Sequence, residues 1–306
     1  MIFMNKIIVT TTINDPQEAT LKFAAMTDWH LIVVGDTKTP HNLYRNLENV
    51  TYLSPEDQES LSKELSDSIG WKSIRRRNLG FLKAYQMGAD VMATVDDDNI
   101  PLENWGENLY IGSEVEVNYY TTDLNVFDPI SVTEHSELWH RGFPLQLVSK
   151  RNVKSEEIKK VNCLVQADFW NGDPDIDAVC RITKMPEVEF KPFKPFAASK
   201  ISPFNSQNTF IHRDLIPFYM VIPHIGRMDD IWGAYAIQQD LKEKYGDFVI
   251  YNEATVYQDR NEHDLTIDME EEMIGYKNNM ALLENGYASV LPQDSAKSYE
   301  IYKSCF

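Results

Sequence analysis

The chain has 306 residues, 43% of them hydrophobic and 25% charged, with a formal net charge of −18. That composition supports a folded core rather than disorder. The acid surplus excludes broad binding along a nucleic-acid backbone, which needs Lys and Arg in excess. Cys163, Cys180 and Cys305 are the only cysteines and form no C-x-x-C pair, so neither a disulfide framework nor a zinc knuckle is expected. No apolar run approaches the roughly 18 residues of a membrane span and the first residues lack a signal-peptide core. The expected location is therefore cytoplasmic.

In chain order, "KIIVTTTIND" reads as a buried strand ending in a polar turn. "DPQEATLKFAAM" then opens a helix with Asp15 as N-cap and Pro16 at the first helical position. "WHLIVVGDTKTP" gives a second strand that stops at Gly35-Asp36, and residues 54 to 69 carry polar helical signals. From Ser73 to Met87, Ile74, Leu79, Leu82 and Tyr85 fall at helical spacing, with Arg75, Arg76 and Arg77 near the start and Gly88 at the end. "DVMATV" forms the next strand. This β-α-β-α-β alternation predicts a mostly parallel, right-handed sheet over the first hundred residues. Residues 111 to 155 and 183 to 210 are irregular, with short strand-like runs. A helix begins near Asp229 and stops at Gly246, and residues 268 to 286 read as an acidic helix. No repeat or linker divides the chain, so a single domain over 1–306 is expected, with a regular β-α part over 1–100 and an elaborated part over 101–306.

Ligands of open α/β sheets bind beyond the carboxyl ends of the strands. Thr10 to Thr12, Asp36 and Asp96 to Asp98 fall at three such ends. In "TVDDDNIP" the aspartates follow directly on a strand, and carboxylate pairs there suit a hard cation, Mn²⁺ or Mg²⁺, which bridges to a diphosphate. Adjacent and alternate pairs are both available; a solvated turn with Asp98 capping a helix near Pro101 is the plainer alternative. Arg75, Arg76 and Arg77, at the start of the helix before that strand, oppose its dipole and so call for an anionic partner. "GRMDDIW" places Arg227, Asp229 and Asp230 at a helix start, Asp229 suited to capping and Asp230 to acting as a base. "YQDRNEHDL" sets Asp259, Arg260, Glu262, His263 and Asp264 in one polar loop, with His263 a candidate metal ligand. "NGDPDID" brings Asp173, Asp175 and Asp177 around a Pro turn but lacks the terminal glutamate of a Ca²⁺ loop.

Taken together, "WHLIVVGDTKTP", "RRRNLGFLKAYQMGA", "TVDDDNIP", "WHRGFPL", "NGDPDIDAVCRIT", "SPFNSQNTFI", "DIWGAYAIQQ" and "YQDRNEHDL" resemble the STELLO family of glycosyltransferases, in order from about residue 7 to 268. "DDD", "RGFP", "NGDPDIDA" and "RMDDIW" more remotely resemble the reversibly glycosylated polypeptides, UDP-arabinopyranose mutases. Both resemblances imply an α/β, GT-A-like fold: a Rossmann-type, mostly parallel central sheet flanked by helices, with an elaborated C-terminal half. They also imply a nucleotide-sugar donor and a D-x-D-type metal motif. Plant members are membrane-anchored in the Golgi, a location not carried over to this chain.

The resemblance makes Thr10, Thr11, Asp36, Arg76, Arg77, Asp96 and Asp97 candidates for nucleotide contacts, and Asp96, Asp98 and His263 candidates for the metal. Asp173, Asp175, Asn205, Gln207, Asn208 and Trp232 are candidates for the sugar or acceptor, and Asp230, Asp229 and Arg141 for catalysis. Arg141 stands where the mutases carry their self-glycosylated arginine; seven residues on, where they carry a second arginine, this chain has Val148. The leading expectation is a metal-dependent glycosyltransferase using a nucleotide-diphosphate sugar, UDP-linked, and an unknown glycan, lipid or protein acceptor. A nucleotide-sugar mutase and a catalytically silent nucleotide-sugar-binding partner are the alternatives. A nucleotidyltransferase ranks last, because "TTTINDP" is no Gly-rich phosphate loop.

Overall fold

The computed structural model describes residues 4–259 and 264–306. The amino-terminal part is a repeating β-α unit. β1 (Lys6–Thr12) leads to α1 (Glu18–Ala24), β2 (His30–Gly35), α2 (His41–Tyr44) and β3 (Val50–Leu53). Then come α3 (Pro55–Leu61), α4 (Lys63–Ile69), a 3₁₀ turn over Ile74–Arg76, α5 (Arg77–Gln86) and β4 (Val91–Val95). These four strands run parallel in the order β3-β2-β1-β4. Ile7, Ile8 and Val9 are wholly buried, as strands covered by helices on both faces require. α5 lies directly on β1 and β2, and Gly80 is what permits that approach: a Cβ there would clash with Val9 and sit 2.7 Å from Val34 Cγ2.

Local chemistry sets the boundaries. Ser54 and Asp57 form a reciprocal capping box at the start of α3, and Ser62 ends α3 while its hydroxyl caps α4. Asp15 does not cap α1, as the sequence had suggested. The helix begins two residues later behind Gln17, with no side-chain cap.

The second half is more mixed. β5 (Asn99–Pro101) replaces any helix near Pro101, and β6 (Glu114–Thr121), β7 (Ser155–Asn162), β8 (Val165–Gly172) and α6 (Ala178–Lys184) follow. The chain continues through β9 (Phe196–Ala198), β10 (Asn208–His212), α7 (Asp229–Tyr245), β11 (Val249–Gln258), α8 (Leu265–Asn285) and α9 (Gln293–Ser304). β10 inserts antiparallel between β4 and β8. β8 and β11 restore the parallel direction, and β9, β6 and β7 complete the far edge. The α/β class with a Rossmann-type, parallel amino-terminal sheet and flanking helices is thus the architecture of the molecule. The antiparallel ladders all involve strands of the elaborated half. No helix among the described residues is long and apolar enough to cross a membrane.

Candidate functional site

A cleft of about 460 Å³ opens at the carboxyl ends of β1, β2 and β4. It draws Thr11 and Thr12 from β1, Asp36 from beyond β2, and Asp96, Asp97 and Asp98 from beyond β4. Arg75, Arg76 and Arg77 come from the start of α5, Arg141 and Gln207 from loops, and Arg227, Asp229 and Asp230 from the start of α7. Seven basic side chains (Lys38, Lys72, Arg75, Arg76, Arg77, Arg141, Arg227) meet seven acidic ones (Asp36, Asp96, Asp97, Asp98, Asp229, Asp230, Glu271) in its lining. In a chain with 29 basic and 47 acidic residues, this is a local concentration of positive charge beside the acids.

The three consecutive arginines have three different environments, because successive residues of a helical turn point about 100–120° apart. Arg75 pairs with Asp229 at 2.7 Å. Arg77 is buried and donates to Asp96 Oδ1 at 2.5 Å and to the carbonyl and hydroxyl oxygens of Ser206, each at 2.7 Å. Arg76 is turned the other way. Its guanidinium donates to Gln58 Oε1 at 2.8 Å and to Ser66 O at 3.0 Å, and stacks on Trp71. Burial among neutral acceptors pushes its pKa down to about 10. Sequence reasoning grouped Arg76 with Arg77 as a nucleotide contact, but its charged end is built into the α3–α4 layer.

Asp36 accepts from the backbone N–H of Thr37 and Ser73, which fixes the loop leading into the arginines. Asp97 accepts from Thr12 at 2.6 Å and Asn14 at 3.1 Å, and burial pushes its carboxyl up. Asp96 and Asp98 both line the cleft and offer only carboxylate oxygens, a donor set suited to a hard divalent ion. Such ions are commonly held by one or two carboxylates plus substrate phosphates. Among the described residues no three His, Cys, Asp or Glu side chains are arranged as a ready metal cage. His263, the third expected ligand, lies outside the described residues.

The densest contacts surround Arg141. Its Nε and Nη2 donate to Asp175 at 2.6 and 3.0 Å, and its Nη1 and Nη2 donate to Asp230 at 2.9 and 3.3 Å. The remaining donor goes to the Arg227 carbonyl, so all five guanidinium N–H groups are engaged. Asp230 also accepts from Ser206 N at 2.9 Å, Ser206 Oγ at 3.1 Å and Ile231 N at 2.9 Å. Burial alone would raise the Asp230 and Asp175 carboxyls, but the Arg141 guanidinium more than offsets it and holds both below the usual range. Asp229 differs. Burial pushes its carboxyl up, and Arg75 offsets only part of that.

These environments revise several expectations. Asp230, expected to be the base, is the counter-ion of Arg141 and the anchor of the Ser206 loop. Trp232 is fully buried in α7, its indole donating to Asn279 at 2.9 Å. Asn208 accepts from Trp105 and donates to Phe169 O and Thr255, all in the interior. Thr10 is buried within β1. None of these three lines the cleft. Asp173 pairs with Arg181 away from it, whereas Asp175 and Asn205 stand behind it: Asn205 donates to Asp175 at 2.8 Å and orients Gln207. Ser206, Thr12, Lys38 and Lys72 line the cleft without having been candidates. Lone Ser, Thr and Lys residues in loops carry no spacing signal, although Thr12 sat at a strand end already singled out.

An α/β protein with a charged cleft at the sheet's carboxyl rim is the class that fold and site define. No protein-family profile matches the chain. Sequence comparison finds two proteins of Arabidopsis thaliana. "Probable glycosyltransferase STELLO2" is 25% identical over 269 residues, 80% of this chain and 35% of that protein. "Probable glycosyltransferase STELLO1" is 24% identical over 267 residues, 80% of this chain and 34% of that protein. The chain spans about a third of the length of these curated relatives. Among solved structures, M. tuberculosis glucosyl-3-phosphoglycerate synthase is similar with a TM-score of 0.44 at 11% identity, over 95% of this chain and 82% of that one.

Proposed function

We propose that the protein is a glycosyltransferase of GT-A type that moves a sugar from a nucleotide-diphosphate donor, with uridine as the base, to a hydroxyl acceptor. One observation carries this reading: the aspartates after β4, the arginines at the start of α5 and the acid pair at the start of α7 converge on one cleft at the sheet's carboxyl rim. The similarity to two STELLO proteins over four-fifths of the chain supports it.

Thr11, Asp36 and the loop at Ser73 would receive the nucleoside. Arg75, Arg227, Lys38 and Lys72 would face the diphosphate, while Arg77 orients Asp96. Asp96 and Asp98 would hold Mn²⁺ or Mg²⁺ together with phosphate oxygens, with His263 a further candidate. A bound divalent ion supplies Lewis-acid neutralisation of the charge that builds on a leaving diphosphate. Asp229 is the better base of the α7 pair, because a carboxylate with raised proton affinity deprotonates a hydroxyl more effectively than one held low. Asp230 and Arg141 position it. Asp175, Asn205 and Gln207 would shape the sugar side.

The mutase alternative needs Arg141 as a nucleophile. Its five occupied donors and a pKa driven well above the ordinary value by Asp175 and Asp230 after the opposing effect of burial weigh against that. The test is a panel of nucleotide diphosphates and nucleotide sugars, with and without Mn²⁺, read by thermal shift and by release of the nucleoside diphosphate. A UDP-sugar that stabilises the protein and turns over is the expected result. Stabilisation without release of the nucleoside diphosphate points to a mutase or a silent binder, and no stabilisation by any nucleotide overturns the reading.

A further inference from the structure

β7 is the last strand of the sheet, and among the described residues nothing pairs with its outer edge. Of "SEEIKKVN", every residue except Val161 is exposed, and Ile158 is 60% exposed. The direction of its free backbone groups follows from its neighbour. In β6, the N–H of Asn118 donates to Pro195 O and the C=O of Tyr120 accepts from Ser199 N, so even-numbered residues of β6 address the β9 side. Their antiparallel partners, Ile158 opposite Asn118 and Glu156 opposite Tyr120, therefore turn their own N–H and C=O groups outward. Lys160 follows by the same alternation.

We propose that this edge pairs with the same edge of a second copy, antiparallel across a two-fold axis at Ile158, joining the two sheets into one. About that axis Ile158 meets Ile158, Glu156 meets Lys160 and Lys160 meets Glu156, each pair exchanging main-chain hydrogen bonds. Glu156, Ile158 and Lys160 share one face of the strand, so the opposite charges stand directly across from each other. Glu157 and Lys159 oppose one another on the other face. The order Glu-Glu-Ile-Lys-Lys selects this register. A slip by one pair in either direction sets Glu157 on Glu157 or Lys159 on Lys159, and like charges directly opposite are destabilising. The partner is specified by charge order rather than by apolar area. An edge pairing alone buries less than the roughly 1,200 Å² typical of stable interfaces, so association is weak and concentration-dependent.

Charged edge strands also serve to prevent sheets from joining, and that role predicts a monomer. Sedimentation equilibrium of the full chain distinguishes the two. A monomer–dimer equilibrium is expected, with Lys160→Glu weakening it roughly tenfold by setting two like-charged pairs across the axis. The double exchange Glu156→Lys with Lys160→Glu is expected to restore it. A monomer at every concentration, a dimer indifferent to Lys160→Glu, or no recovery in a folded double variant overturns the proposal. Should the variants not fold, amide hydrogen exchange of the wild type decides. Exchange at Ile158 slows as concentration rises if the edge is paired, and concentration-independent exchange overturns it.

Discussion

Replacing Arg141 by Met tests the central clamp. The substitution keeps most of the side-chain volume but removes five donors and the positive charge between Asp175 and Asp230. Taking one partner from a buried ion pair costs about 3–5 kcal/mol, which for a chain of this size lowers Tm by roughly 5–8 °C. The pH dependence should also invert. In the wild type both carboxyls are held below their ordinary range. They therefore contribute stability above an unfolded pKa of about 3.9, lost as pH falls through the folded values. Without the guanidinium, burial and mutual repulsion raise both, so the variant is favoured at low pH and loses stability as pH rises. Urea denaturation followed by circular dichroism from pH 4.5 to 8 should show the gap to wild type widening with pH. A gap that is constant with pH, or below about 1 kcal/mol throughout, refutes the clamp as described.

Three further outcomes are expected. Asp229→Asn should lower donor turnover at least ~100-fold, the scale of a lost general base, with nucleoside-diphosphate affinity changed much less. Asp230→Asn should instead lower thermal stability, and the reverse pattern in calorimetry and initial rates would return the base role to Asp230. Burial raises the Asp168 carboxyl to about 7. Its contribution is thus present below an unfolded pKa of about 3.9 and declines as pH rises through 7, and Asp168→Asn should flatten that part of the stability–pH curve. Gly80→Ala should cost about 1–3 kcal/mol through overpacking against Val9 and Val34, and an unchanged urea midpoint would contradict the tight α5–sheet approach.

Much of the amino-terminal half was legible because its strands are continuous apolar runs and its helices carry clear stops. β1, β2, β4 and α7 fall where the runs predict. β8, β10 and β11 were not legible, since their pairing depends on partners far along the chain rather than on local periodicity. The convergence of Thr11, Thr12, Asp36 and the Asp96–Asp98 run followed from strand ends alone. The clamp did not, because Arg141 lies 34 residues from Asp175 and 89 from Asp230. Arg76 and Trp232 were misplaced for one reason: one or two positions along a helical turn from a site residue, a side chain points about 100–200° away from it. Here that direction leads into the interior.

The run of contacts from Asp175 through Arg141, Asp230, Ser206 and Arg77 to Asp96 alternates charge from the interior to the rim. Its members are mutually dependent, so the fitness effect of changing one is conditional on the others. In an evolving lineage such epistasis closes most single-step routes. Descendants of this chain should keep the set whole or surrender it as a block, and any homologue lacking Arg141 should also lack at least one of its two acids.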